Sequence, residues 1–168
     1  SMLEQWIGPE AFRRGLASYM NGQKLSNATA ADLWHHMRDA SGRDVGVVAT
    51  SWTDQPGFPL VGVRSTCVAG RTRVTLTQQR YFSGPEAPST SLWKIPVQIA
   101  RGAQHIGTLL ESPEQTLELE GCGHEPLVVN ADGKGFYRVE YTRADLQALT
   151  RQFGALAAHA SGQRMLLA

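Results

Sequence analysis

The stretch SWTDQPGFPLVGV, residues 51–63, joins two apolar patterns that belong to different kinds of secondary structure. Upstream, apolar residues recur three and four apart, as on one face of a helix. Downstream they alternate or cluster in short runs, as in strands. Between the two lies Gln55-Pro56-Gly57-Phe58-Pro59. Proline removes a helix donor and biases the residue before it toward extended backbone, so the helical pattern has to stop here. The stretch predicts an α+β chain that changes class at this point.

Upstream, three helices are expected. Pro9 suits a first helical position, where its missing N–H costs nothing. Phe12, Leu16, Tyr19 and Met20 then fall on one helix face, and Asn21-Gly22 supplies a stop. Thr29 reads as an N-cap, with Asp32 placed to return the hydrogen bond. Leu33, Trp34 and Met37 are the expected buried side of that second helix. Val45, Val48, Ala49 and Trp52 keep helical spacing although valine leans toward strand, so a third helix is expected, ended by Pro56-Gly57.

Downstream, FPLVGVRSTCVAGRTRVTLTQQRYF predicts two strands about a turn at Ala69-Gly70-Arg71. SLWKIPVQIA alternates through Trp93, Ile95, Val97 and Ile99, and Pro96 within it argues for an edge strand or a bulge. Further strands are expected near 104–110, 116–121, 126–130 and 135–141, with ADGKG at 131–135 as a hairpin turn. Six to eight short strands at this spacing suggest a central antiparallel β-sandwich. At Thr142 the period becomes helical again, through Leu146, Leu149 and Phe153, and ALAAHASGQRMLLA is helix-prone too. The chain thus reads as helices, a sandwich, and helices.

Composition narrows function mainly by exclusion. The 168 residues carry 16 basic and 15 acidic side chains, so bulk charge does not favour nucleic acid. No apolar run approaches the ~20 residues of a membrane-spanning helix. There is no signal-peptide pattern, but Ser1 reads as an expression remnant and the helical pattern starts at once. The native start is therefore expected elsewhere, and the compartment is left unassigned. Cys67 and Cys122 fit either a disulfide or two buried free thiols. Free thiols are favoured, since two cysteines make no disulfide framework.

No complete catalytic or metal constellation emerges. His35-His36 diverge by about 100° on a helix and do not share a metal easily. Cys122 and His124 form a C-x-H pair, and His124-Glu125 begins an H-E-x-x-H pattern that fails at Val128. ADGKG lacks the upstream glycine and the following helix of a phosphate loop. His105 and His159 are isolated, and no cysteine–histidine pair suggests a nucleophile with its base. The tryptophans at 6, 34, 52 and 93 could form a sugar platform, but three lie on apolar helix faces or ends, where core packing is the better reading. Catalytic, cofactor-binding and metal residues are thus all expected to be none in this chain.

Five runs resemble, in order, the section of the aminopeptidase N family of zinc metallopeptidases that follows the catalytic zinc motif. They are ATAADLW (Asp32, Leu33, Trp34), SWTDQPGFPLVGV (Trp52, Thr53, Gly57, Phe58, Pro59, Leu60), LTQQRYF (Leu76, Gln78, Arg80, Phe82), LWKIPV (Trp93, Ile95, Pro96, Val97) and GFYRVEY (Gly135, Tyr137, Arg138, Val139, Tyr141). The resemblance thins between 100 and 130. It implies that residues 1–56 are the last helices of a thermolysin-like catalytic domain, 57–141 a β-sandwich hinge domain, and 142–168 the start of an α-helical domain. It also implies a parent enzyme that removes N-terminal amino acids from peptides, with zinc polarising the scissile carbonyl and activating water. The zinc ligands, the G-x-M-E-N amine site and the transition-state tyrosine are all expected upstream of Ser1. The chain alone is expected to be inert, with the parent's catalytic and helical domains as its partners and self-association of the excised piece. Arg80 and Arg138 are candidates for interdomain ion pairs, although an arginine on the wet face of a sandwich is the commoner case. The rival expectation is a free-standing β-sandwich module that binds protein or carbohydrate. A third, a self-sufficient hydrolase, needs a nucleophile or metal site that these residues do not supply.

Overall fold

The structure, a computed structural model, describes residues 1–24, 27–84, 89–123 and 125–151. It divides into two compact units, Ser1–Pro56 and the chain from Gly57 onward.

The first unit is helical. Its helices are α1 (Met2–Ile7), α2 (Pro9–Gly22), α3 (Ala30–Ser41) and α4 (Val45–Thr53). Local capping chemistry sets their ends. Ser1 and Glu4 form a capping box on α1, Pro9 opens α2, and Thr29 and Asp32 form the box on α3. Gly42 ends α3 with φ 70°, a left-handed conformation that glycine adopts without a Cβ penalty. Asp44 caps α4, whose Val45, Val48 and Ala49 are buried as their spacing predicts. In α3 Met37 is buried, whereas Leu33 and Trp34 are only half-buried.

The inward face of α2 is not the bulky one. Ala11 and Gly15 are buried, while Leu16 and Met20 are 41% and 61% exposed. A Cβ on Gly15 would lie 2.8 Å from the Met37 sulfur and 3.1 Å from the Met37 Cα. The close crossing of α3 thus selects the small residues of α2 and turns Leu16 and Met20 outward.

The second unit holds two sheets and one helix among its described residues. Strands β1 (Pro59–Val68), β2 (Arg71–Arg80), β5 (Glu114–Glu120) and β7 (Arg138–Tyr141) form one sheet in the order β5-β2-β1-β7. Strands β3 (Ile95–Arg101), β4 (Gln104–Leu110) and β6 (Val128–Val129) form the other, ordered β4-β3-β6. The chain is α+β, as the sequence predicts.

β1 and β2 make a hairpin, with Val68 opposite Arg71. Ala69 and Gly70 form its two-residue turn, with φ 49° and 77°. Positive φ at both central positions matches the right-handed twist of the flanking strands. Along the pair, Val61 and Val63 of β1 and Val74, Leu76 and Gln78 of β2 are buried. This is the alternation of strands with one covered face.

Three expectations need correction. The strands are not all antiparallel: β7 pairs with β1 in parallel, Leu60 beside Arg138 and Val63 beside Tyr141. A parallel neighbour needs a long crossover, and 69 residues separate Val68 from Arg138 in the numbering, 138 − 69, which no local period reveals. The 131–135 turn is not a hairpin, because β6 pairs with β3 while β7 pairs with β1 in the other sheet. Pro96 lies in the central strand of its sheet rather than on an edge. It is tolerated because β6 covers β3 only at Ile99 and Ala100, so one side of β3 has no strand partner at Pro96.

The last described helix, α5 (Arg143–Arg151), starts as predicted at Thr142, whose hydroxyl accepts from Asp145 N at 3.2 Å and donates to the Asp145 carboxylate at 2.6 Å. Leu149 is buried and Leu146 is 44% exposed. The expected Phe153 position and the helix-prone C-terminal stretch lie outside the described residues.

Candidate functional site

Side chains that sequence reasoning singled out for chemistry are dispersed. His35 is exposed, within 2.9 Å of the Arg38 guanidinium and 3.6 Å of the Asp39 carboxylate. His36 is half-buried, its Nδ1 2.9 Å from the Ser18 hydroxyl and its ring edge-on to Tyr19. His105 is exposed on β4. His124 and His159 lie outside the described residues. Among the described residues, no three His, Cys, Asp or Glu side chains are grouped to hold a metal ion. Lys134 is exposed in the link between β6 and β7, and that link is organised by Asn130. The Asn130 side chain donates to Gly135 O at 3.2 Å and accepts from Gly135 N at 2.8 Å.

Cys67 and Cys122 are joined in a disulfide, against the expectation of free thiols. Cys67 sits at the far end of β1 and Cys122 just beyond β5, so the bridge passes over the end of β2 that lies between those strands. The 55-residue separation hides this neighbourhood from any local pattern. The pairing also removes Cys122 from the C-x-H pair considered as a metal ligand.

Beside the disulfide is a buried polar arrangement centred on Arg101. Arg101, the last residue of β3, is 94% buried, 6% being exposed. Its guanidinium donates to the Thr72 hydroxyl and to the carbonyls of Glu120 and Gly121. Thr72 in turn donates to Gly121 O at 2.7 Å. One buried cation thereby ties the end of β3 to β2 and to the exit of β5, across the two sheets. Burying a charge is costly unless it is well hydrogen-bonded, so this arrangement sets the local backbone tightly. Arg101, Cys67, Cys122, Glu125, Asp145 and Arg151 are among the residues lining an adjoining cavity of about 410 Å³. Nothing in the sequence marks Arg101, apart from its odd place at the end of an apolar strand.

A second tie joins the sheets through Gln78. Its amide donates to Trp93 O and Ser112 O, and accepts from Trp93 N. Trp93 is wholly buried. The other three tryptophans, placed by sequence on helix faces or ends, are half-buried.

A third group surrounds the phenols near the chain's last strand. Tyr141 OH accepts from Val129 N at 2.8 Å, linking β7 to β6. Burial pushes the Tyr141 phenol up to about 12, with the Asp145 carboxylate adding to the rise and the Val129 N–H opposing it. Burial also raises Tyr137. A Cβ on Gly135 would come within 2.2 Å of the Tyr137 ring, so glycine is required there for close approach.

Arg138 and Arg80, considered for ion pairs, rest on aromatic rings. The Arg138 guanidinium lies 4.4 Å from the Tyr81 ring centroid and donates to the Tyr81 hydroxyl at 2.8 Å. Arg80 lies 5.2 Å from the Phe82 centroid. Phe58 stacks on Tyr81 at 5.0 Å.

These features are structural ties, and among the described residues they assemble no nucleophile, base and electrophile. Residues 1–52 match the Peptidase family M1 domain. The chain is 33% identical over 154 residues to the puromycin-sensitive aminopeptidase of Caenorhabditis elegans, covering 88% of this chain and 16% of that protein. It is 35% identical over 140 residues to the leucyl aminopeptidase of Saccharolobus solfataricus, covering 83% and 17%. The tricorn protease-interacting factor F2 of Thermoplasma acidophilum is 30% identical over 156 residues, covering 92% and 18%.

The class thus defined is the M1 metallopeptidases. Two of these three relatives are aminopeptidases by name, and the chain spans less than a fifth of the length of all three.

Proposed function

We propose that this chain is the inter-domain segment of a zinc aminopeptidase that removes N-terminal residues from peptides, and that it is catalytically inert alone. On this reading residues 1–56 complete the catalytic domain, 57–141 form a β-sandwich in which the two sheets stack, and 142–168 begin a helical domain. The sandwich spaces the catalytic and helical domains and shapes access to the enclosed active site between them.

The observation that carries this reading is the extent of the similarity. A match of 154 residues is longer than either unit, the second having 112 residues from Gly57 to the end, 168 − 56. The similarity therefore runs through the Pro56–Gly57 junction and holds helices and sheets together in one order. Zinc belongs to the proposed parent. The described residues do not fit it, so no step of its chemistry is assigned to them. The sugar-binding version of the rival module needs an exposed tryptophan platform, and the one tryptophan of the sheet-bearing unit, Trp93, is wholly buried.

The test compares the isolated chain with its full-length parent on aminoacyl anilides, with and without a zinc chelator. The expected result is chelator-sensitive turnover by the parent and none by the chain. Turnover by the isolated chain, or an inactive parent lacking H-E-x-x-H, overturns the proposal.

A further inference from the structure

The Cys67–Cys122 bridge stands apart from the structural ties around it. Cys67 is exposed and Cys122 half-buried, and both line the cavity of about 410 Å³. A disulfide with an open face can be reached by an attacking thiolate, and access is a principal determinant of exchange. The backbone it anchors is held a second time without it. Arg101 binds the carbonyls of Glu120 and Gly121, Thr72 binds Gly121 O, and Gly121 forms a bridge with Arg71. Among the described residues these hydrogen bonds reach as far as Gly121, whereas the covalent link acts one residue further, at the start of the crossover to β6. Arg101 and Arg151 line the same cavity, and so do Glu125 and Asp145, so charge around it is balanced and access rather than electrostatics opens the bridge to exchange.

We propose that Cys67–Cys122 is a thiol-exchange site, opened by a small dithiol while both sheets stay folded, and that opening releases the crossover after Gly121. A reductant thiolate attacks Cys67 Sγ, the S–S bond breaks, and its electron pair leaves with Cys122 Sγ. The mixed disulfide on Cys67 is then attacked by the reductant's second thiolate, which closes a cyclic disulfide and frees Cys67. The two cysteine thiolates take up the two protons that the dithiol gave up. The protein gains two electrons, and the dithiol loses them.

The experiment treats the chain with dithiothreitol at neutral pH without denaturant. It follows thiol alkylation by mass spectrometry, backbone order parameters by NMR, and amide hydrogen exchange of the sheets. The expected result is alkylation of both cysteines within minutes to hours. Order parameters at Cys122, Gly123 and Glu125 should fall below about 0.6, with hydrogen-exchange protection of β1 and β2 unchanged. A Cys67→Ser/Cys122→Ser double variant should show the low order parameters without reductant. If that variant does not fold, the reduction of the natural chain decides alone. Alkylation only in denaturant overturns the proposal. So does loss of protection throughout the sheets on reduction, or unchanged order parameters beyond Gly121 in the reduced chain.

Discussion

Gln78 and Trp93 hold each other by two buried hydrogen bonds: Gln78 Nε2 donates to Trp93 O at 2.9 Å, and Trp93 N donates to Gln78 Oε1 at 2.8 Å. The glutamine amide thus acts as a strand neighbour for the segment entering β3. Its second N–H reaches Ser112 O at 3.0 Å, so the side chain pins three backbone groups in two stretches of chain. Replacing Gln78 by leucine leaves a buried N–H and two carbonyls to find new partners. The expected loss is about 3 kcal/mol, from orphaned groups that each cost ~1–3 kcal/mol. Urea unfolding of Gln78→Leu measures it, and a loss below about 1 kcal/mol would mean that water replaces the amide at little cost.

Gly135 should tolerate no side chain. Its Cβ would meet the Tyr137 ring at 2.2 Å, and Tyr137 is buried with little room to retreat. Gly135→Ala is expected to destabilise by about 1–3 kcal/mol, the usual cost of overpacking. The double variant Gly135→Ala/Tyr137→Leu should recover part of that loss. A thermal melt of Gly135→Ala indistinguishable from the natural chain would show that the ring moves freely.

Alkaline pH should weaken the sheet-bearing unit. The Tyr141 phenol is raised to about 12 when folded, against an ordinary value of 10. Between those values the unfolded chain releases the proton and the folded chain keeps it, so stability falls as pH rises. The contribution is complete below about pH 10 and is lost on passing the folded value; Tyr137, raised in the same direction, adds to it. Tyr141→Phe should flatten the slope measured by denaturation between about pH 9.5 and 11.5, while lowering stability at neutral pH because Val129 N–H loses its acceptor. An unchanged alkaline slope in both Tyr141→Phe and Tyr137→Phe would sink the assignment.

Asp32 makes an opposite, acid-side prediction. Its carboxylate accepts from the Thr29 hydroxyl and from Thr29 N, which holds its pKa below the ordinary value. The cap therefore contributes above the unfolded pKa and is lost as pH falls through the folded one. NMR titration should find Asp32 below the usual carboxylate range in the natural chain and nearer to it in Thr29→Ala. Equal values in the two proteins would exclude the cap as the cause.

The helical unit should associate with itself. Leu16, Met20 and Val47 are 41%, 61% and 45% exposed, more apolar surface than a helix needs to show water. Concentration-dependent light scattering is expected to show association, reduced in Leu16→Glu/Met20→Glu. A monomer at all concentrations, with no change in the variant, counts against it.

Much of the framework is legible without coordinates because it depends on groups a few residues apart. The Thr29–Asp32 box, Pro9, the helix break before Gly57 and the Thr142 cap all satisfy backbone groups within one turn. The hairpin of β1 and β2 is legible for the same reason, its turn chemistry and alternation being local. The runs carrying the family resemblance contain several of the ties found here, Gln78, Trp93, Gly135, Tyr137, Arg138 and Tyr141, although their spacing does not reveal what each one touches.

α2 shows where local reading stops. Its spacing identifies a bulky apolar face, but Ala11 and Gly15 are the residues inside, and at Gly15 α3 crosses too closely for anything larger. The facing partner, absent from any window of the helix itself, decides which face is buried.

The sequence by itself determined the class of the chain, the ends of most helices, the change of period at Pro56-Gly57 and the kinship with M1 aminopeptidases. Only the tertiary structure decided the Cys67–Cys122 bridge, the burial of Arg101, the parallel pairing of β1 with β7 and the crossing between sheets at 131–135. The physical reason is range. Caps and turns are chosen by hydrogen bonds within about four residues, whereas these features join groups 19 to 78 positions apart, Arg101 to Glu120 and Leu60 to Arg138. Such pairings exist only once both sheets are assembled.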